Sequence, residues 1–101
     1  MAKVSQLRLY TIEEGRLGEF VREWLHGVYP LRQKHGFRID GAWLVRDQSR
    51  FAWILSYDGP EDWEALDRAY YASPERGQLD PDPARLIVES QHWFVSSVLP
   101  E

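Results

Sequence analysis

The chain has 101 residues, 44% hydrophobic and 28% charged, with a net charge of −4 and no cysteine. This is one domain's length with an ordinary globular balance, so residues 1–101 are expected to form a single core rather than a disordered chain. Lys and Arg scattered among acids argue against nucleic acid; the lack of cysteine excludes disulfides and thiolate metal sites and fits a reducing cytoplasm; no apolar run reaches the length of a signal peptide or a membrane span.

Leu7 to Ile12 reads as a first strand, with Leu7, Leu9 and Thr11 on one face and Arg8, Tyr10 and Ile12 on the other. Glu14-Gly15 breaks it. Leu17, Phe20, Val21, Trp24, Leu25, Val28 and Leu31 then recur at helical spacing, while Arg16, Glu19, Arg22, Glu23, Arg32 and Gln33 fall on the opposite, polar face. Pro30 lacks an N–H and clashes with the carbonyl four residues earlier, which predicts a kink near His26. The helix should end at His35-Gly36, where Gly36 takes the left-handed cap conformation.

Phe37 to Arg46 is the second expected strand, with Gly41 marking a bulge, and Phe51 to Tyr57 the third. The short turn Asp47-Gln48-Ser49-Arg50 makes them a hairpin. Asp58-Gly59-Pro60-Glu61-Asp62 is a helix start with Pro60 at the first helical position, and Trp63, Leu66, Ala69 and Tyr70 follow as its apolar stripe. That helix stops by Ser73-Pro74, where Ser73 caps a further short turn. Asp80-Pro81-Asp82-Pro83 is expected to be rigid and non-helical, and Leu86 to Leu99 supplies the last strand.

The order β-α-β-β-α-β is the ferredoxin-like arrangement, an α+β fold of four antiparallel strands with two helices on one face. Both strand faces carry large apolar side chains, whereas a sheet face open to water usually alternates apolar and polar. Helices cover only one face, so a second copy of the chain is expected on the other, making a homodimer.

Several stretches resemble the NIPSNAP family. They are Leu7-Arg8-Leu9-Tyr10-Thr11-Ile12 with Gly15 and Leu17, Pro30-Leu31 with His35-Gly36-Phe37, Gly41-Ala42-Trp43, Phe51-Ala52-Trp53-Ile54-Leu55-Ser56-Tyr57, Asp58-Gly59-Pro60-Glu61-Asp62-Trp63, and Tyr71 with Ser73-Pro74-Glu75-Arg76. The resemblance runs along nearly the whole chain. It implies the dimeric α/β-barrel superfamily, in which two such sheets close into one barrel. The NIPSNAP family carries no agreed chemistry; related barrels include cofactor-free monooxygenases, haem-degrading enzymes, chlorite-dismutase-like proteins, muconolactone isomerases and small stress-response proteins. Fold does not fix function.

Five Trp, five Tyr and four Phe offer either a core and dimer seam or the walls of a pocket. On the pocket reading, Trp53 and Tyr57 share one strand face, Trp43 joins them from the next strand, and Tyr70 and Tyr71 come from the second helix. Arg8 and Tyr10 are in phase on the first strand. A buried arginine needs an anion, and Glu89 or an anionic ligand would serve. Arg76, in the family-like Ser-Pro-Glu-Arg segment, either gates a cavity mouth or is a solvated loop charge. The expected ligand-binding set is therefore Arg8, Tyr10, Trp43, Trp53, Tyr57, Tyr71 and Arg76.

His35 is the catalytic candidate; its alternative reading is a helix-end cap favoured by the dipole. His92 reads as a core or interface histidine, and His26 has no evident role. A haem would require a histidine facing a pocket. No metal-ligand spacing, phosphate loop or nucleophile elbow is present, so no metal and no cofactor are expected. The expected function is binding of a small apolar or aromatic molecule between sheet and helices. The alternatives are a cofactor-free monooxygenase- or isomerase-like enzyme and a non-enzymatic homodimeric interaction module.

Overall fold

The first strand begins earlier than the hydrophobic run suggests. In the computed structural model, which describes residues 3–100, β1 spans Val4–Ile12. Met1, Ala2 and Glu101, at the ends of the expected domain, lie outside the described residues. Val4, Ser5 and Gln6 extend β1 by pairing with Tyr57, Ser56 and Leu55.

The first helical stretch is one rod in three pieces: α1 (Leu17–Glu23), a π-helical turn (Trp24–Val28) and α2 (Tyr29–Lys34). The disturbance expected near His26 appears as this wider turn, in which the Tyr29 N–H donates to the Trp24 carbonyl five residues back. The wider turn accommodates the ring of Pro30, which has no N–H to offer the His26 carbonyl. The rod ends as expected. Gly36 has φ +93°, and the Phe37 N–H donates back to the Arg32 carbonyl at 3.1 Å.

β2 (Arg38–Val45) and β3 (Arg50–Tyr57) form the expected hairpin, with Ser49 at φ +51° in its turn. The bulge falls between Ile39 and Gly41, leaving Asp40 as the extra residue. Next, α3 (Trp63–Ala72) starts later than Pro60. Asp62 is its cap, and the Asp62 carboxylate accepts from the Ala65 N–H at 3.2 Å. Ser73 caps α4 (Pro74–Gly77), accepting from the Arg76 N–H at 3.2 Å. Pro83, expected to be non-helical, instead opens a 3-10 turn (Pro83–Leu86) because the Asp82 carboxylate caps it at the Ala84 N–H, 3.0 Å away. β4 spans Ile87–Val95, shorter than the expected Leu86–Leu99 because its partner β1 ends its pairing at Ser5–Val95.

The sheet order is β2-β3-β1-β4, every pair antiparallel. Gln6, Arg8, Tyr10 and Ile12 of β1 and Phe51, Trp53 and Leu55 of β3 face the helices and are buried. Phe20, Trp24, Val28 and Leu31 of the rod, with Trp63 and Tyr70 of α3, complete the core. Trp24 meets Trp53 and Phe51 with ring centres 5.2 and 4.9 Å apart. Arg85 ties the 3-10 turn to the rod through Glu19 and Glu23 at 2.9 and 3.0 Å. On the opposite face, Leu7, Leu9, Ile54, Trp43, Trp93 and Val95 form an apolar surface that no helix covers. Here Trp43 lies over Gly41, where a Cβ would collide with the indole.

Candidate functional site

The site is built around an arginine that a strand would not normally bury. Arg8 alternates in phase with Gln6, Tyr10 and Ile12, so the pleat turns it toward the helices, where it is 7% exposed. Glu89 is not its partner. Glu89 pairs with Thr11 and so lies on the opposite face. Arg8 donates instead to Gln6 Oε1 at 2.7 Å, Tyr71 Oη at 3.1 Å and Asp67 Oδ1 at 3.3 Å. Its guanidinium also lies 5.5 Å from the Trp53 ring centre. Burial opposes its charge, but Tyr10, Tyr71 and Asp67 outweigh burial and hold its pKa above the ordinary arginine value.

A second arginine meets it from the rod. Arg32, expected on the polar face, is 1% exposed. An α-helical series at every fourth residue drifts by about 40° per step, because each residue turns about 100°. The π-helical turn winds more slowly and offsets that drift, so Phe20, Trp24, Val28 and Arg32 all remain buried. Arg32 Nη1 donates to Asp67 Oδ1 at 2.7 Å, and its guanidinium sits 3.7 Å from the Tyr70 ring centre. A single carboxylate oxygen on α3 therefore serves both arginines.

Two hollows adjoin this pair and share Tyr10 and Tyr71 as walls. One is a cavity of about 80 Å3 lined chiefly by aromatics, among them Phe20, Trp24, Trp53 and Tyr70, with Arg32 and Arg76. The other is a cleft of about 280 Å3 lined by Gln6, Arg8, Asp67, Ser90, Gln91 and His92. Trp24 Nε1, Tyr70 Oη and Arg32 Nε are buried with no hydrogen-bond partner among the described residues. Burial pushes the Tyr10 hydroxyl's pKa up, with Arg8 pulling it down; burial does the same for Tyr70, against Arg32 and Arg76. Arg76 donates to Asp82 at 3.1 Å, so it is an anchored wall of the cavity rather than a solvated loop charge.

Of the residues expected to bind a ligand, Arg8, Tyr10, Trp53, Tyr71 and Arg76 line these two hollows. Trp43 and Tyr57 do not. Trp43 points to the uncovered face and is 53% exposed. Tyr57 turns toward the approach to α3, where its hydroxyl accepts from the Glu61 N–H at 3.1 Å. His35 lines neither hollow; it caps the rod, with its ring edge-on to Tyr70 at 5.6 Å. His92, expected in a core or interface, lies opposite Arg8 on β4 and lines the cleft as an exposed side chain.

Asp67 and Arg32 went unrecognised in the sequence. Asp67 lies four residues after Trp63 and three before Tyr70, both on the buried stripe, and that spacing was the available signal. Among the described residues no group of His, Asp or Glu is placed to hold a metal ion, and no helix is long and apolar enough to cross a membrane.

No family model matches the chain, and no curated protein matches it in sequence. Solved structures do match. An uncharacterized NIPSNAP domain protein from Burkholderia xenovorans superposes with a TM-score of 0.82 at 17% identity, over 97% of this chain and 99% of that one. A NIPSNAP family protein from Agrobacterium tumefaciens gives 0.82 at 13% identity, over 94% of this chain and 92% of that one. SnoaB, a cofactor-independent oxygenase from Streptomyces nogalater, gives 0.70 at 17% identity, over 99% of this chain and 97% of that one. At such identities the likeness speaks of architecture alone: the chain has the ferredoxin-like α+β fold of the NIPSNAP-family structures.

Proposed function

We propose that this NIPSNAP-like chain binds a small, flat, conjugated molecule between its sheet and its helices. The observation that carries this reading is an aromatic-walled cavity bearing buried, unsatisfied donors and sharing a wall with an arginine-lined cleft. Neither hollow alone reaches the ~300 Å3 at which small-ligand sites begin, but a ligand seated at Tyr71 draws on both. Apolar walls with a few convergent polar groups are the usual make-up of such sites.

A thermal-shift screen of flat aromatic and conjugated compounds tests the reading. A ligand at a hundred times its Kd adds about 2.7 kcal/mol to the native state and raises the melting point by several degrees. The reading fails if no compound in such a library shifts the melting point. It also fails if the shifts persist unchanged when Tyr71→Ala and Trp53→Phe alter the walls.

A second reading, cofactor-independent oxygenation, is favoured by the likeness to SnoaB together with an aromatic-lined hollow. Oxygen uptake by the purified chain on a compound found in the screen supports it, and binding without uptake removes it. The functional unit in either case is a homodimer closed across the uncovered sheet face, working in the cytoplasm, whose reducing conditions suit a cysteine-free chain. Should the screen find nothing, a homodimeric interaction module is the function that accounts for the same aromatics.

A further inference from the structure

We infer that the ligand of this site carries a single planar oxyanion, of carboxylate type, held between Arg8 and Arg32 beside Tyr71. This rests on the small-molecule reading above and adds the charge and shape of the recognised group.

The charges around the two arginines do not balance. Arg8 and Arg32 are 7% and 1% exposed, and both donate to the same oxygen, Asp67 Oδ1. The remaining hydrogen bonds of Arg8 go to Gln6 and Tyr71, which are neutral groups. Arg32 Nε has no partner among the described residues. Arg76 is matched by Asp82, and the hydroxyls of Tyr10 and Tyr70, with their pKa values raised by burial, carry no charge at neutral pH. Asp67 is the one carboxylate among the residues lining the two hollows, so the pair keeps an excess of one positive charge. His92, across from Arg8, is not a carboxylate and supplies no negative charge to offset that excess.

A buried excess charge is costly unless a counter-ion accompanies it. Guanidinium forks fit planar oxyanions in two-point contacts, and one excess charge matches a monoanion rather than a dianion. The aromatic walls then receive the conjugated body to which the oxyanion is attached.

The test is isothermal titration of the full chain with three probes of one ring system: 2-naphthoate, its neutral amide 2-naphthamide, and 2-naphthyl phosphate. Naphthoate is expected to bind at least about tenfold more tightly than the amide, as charge-assisted hydrogen bonds imply, and more tightly than the dianionic phosphate. Asp67→Asn, which withdraws the competing carboxylate, is expected to tighten naphthoate while leaving the amide unchanged. Equal binding of naphthoate and amide overturns the oxyanion but keeps the conjugated-ligand site. Tighter phosphate binding overturns the monoanion assignment, as does weakened naphthoate binding in a folded Asp67→Asn chain. If none of the three binds the wild-type chain, the small-molecule reading itself falls.

Discussion

Asp67 holds two guanidinium groups with one oxygen, and its own side chain is only 23% exposed. Removing one partner from a buried ion pair costs more than the pair contributes, because the other charge stays buried. Asp67→Ala is therefore expected to lower unfolding free energy by about 3 kcal/mol in urea titrations. Asp67→Asn, which retains an acceptor, should lose about half as much.

Asp40 is a second residue with measurable leverage. Burial works against its charge, but the Ser56 hydroxyl at 2.6 Å and Lys3 at 2.9 Å outweigh burial and hold its carboxyl below the usual carboxylate range. The stabilisation is present above the unfolded-state value, about 3.9, and is lost as pH falls through the lower folded value. Between about pH 5 and pH 2.5, wild type should lose more stability than Asp40→Asn; equal losses would show that Asp40 is not linked to folding. The helix-facing placement of Arg8, Tyr10 and Trp53 was legible because strand period alone sets their face. Asp67 was not, because its role exists only where α3 meets both β1 and the rod.

At the scale of elements, the rod shows where sequence reasoning ran out. Its length, its end at Gly36 and the disturbance from Pro30 were all readable from spacing and turn chemistry. The phase of its last turn was not. A π-helical turn has no composition of its own, and its effect is to bring Arg32 from the expected polar face into the core. The cap offers a clean test of the backbone. Gly36 at φ +93° tolerates no Cβ without strain, whereas the nearest atom to an added Cβ is 4.0 Å away, so space is not the issue. Gly36→Ala should cost about 1 kcal/mol, read as a lowered melting temperature, and a neutral result would mean that the cap relaxes. Tyr57 and Trp43 misled for different reasons. Alternation puts Tyr57 on the core side, and it does pack there against Phe37, but at the end of β3 beside Glu61 rather than at the hollows; the Asp40 bulge resets the face of Trp43.

For the whole molecule, the uncovered face is what supports the proposed homodimer. Leu9 sits on it at the middle of β1, with Ala52 and Gln91 as neighbours on the flanking strands. Light scattering at micromolar concentration should give twice the chain mass for wild type and the single-chain mass for Leu9→Glu, since burying an unpaired charge costs more than the contact gains. A single-chain mass for wild type would end the dimer reading. The same division of the sheet sorts the tryptophans. Trp24, Trp53 and Trp63 are buried on the helix side, whereas Trp43 and Trp93 stand about half exposed on the other. The intrinsic emission of this chain is thus two signals in one spectrum. Blue-shifted light from the first group would report the proposed ligand near Arg32, while acrylamide-quenchable light from the second would report the proposed association of chains. The two proposals, a filled pocket and paired sheets, can therefore be tested separately in one cuvette, without attaching a dye.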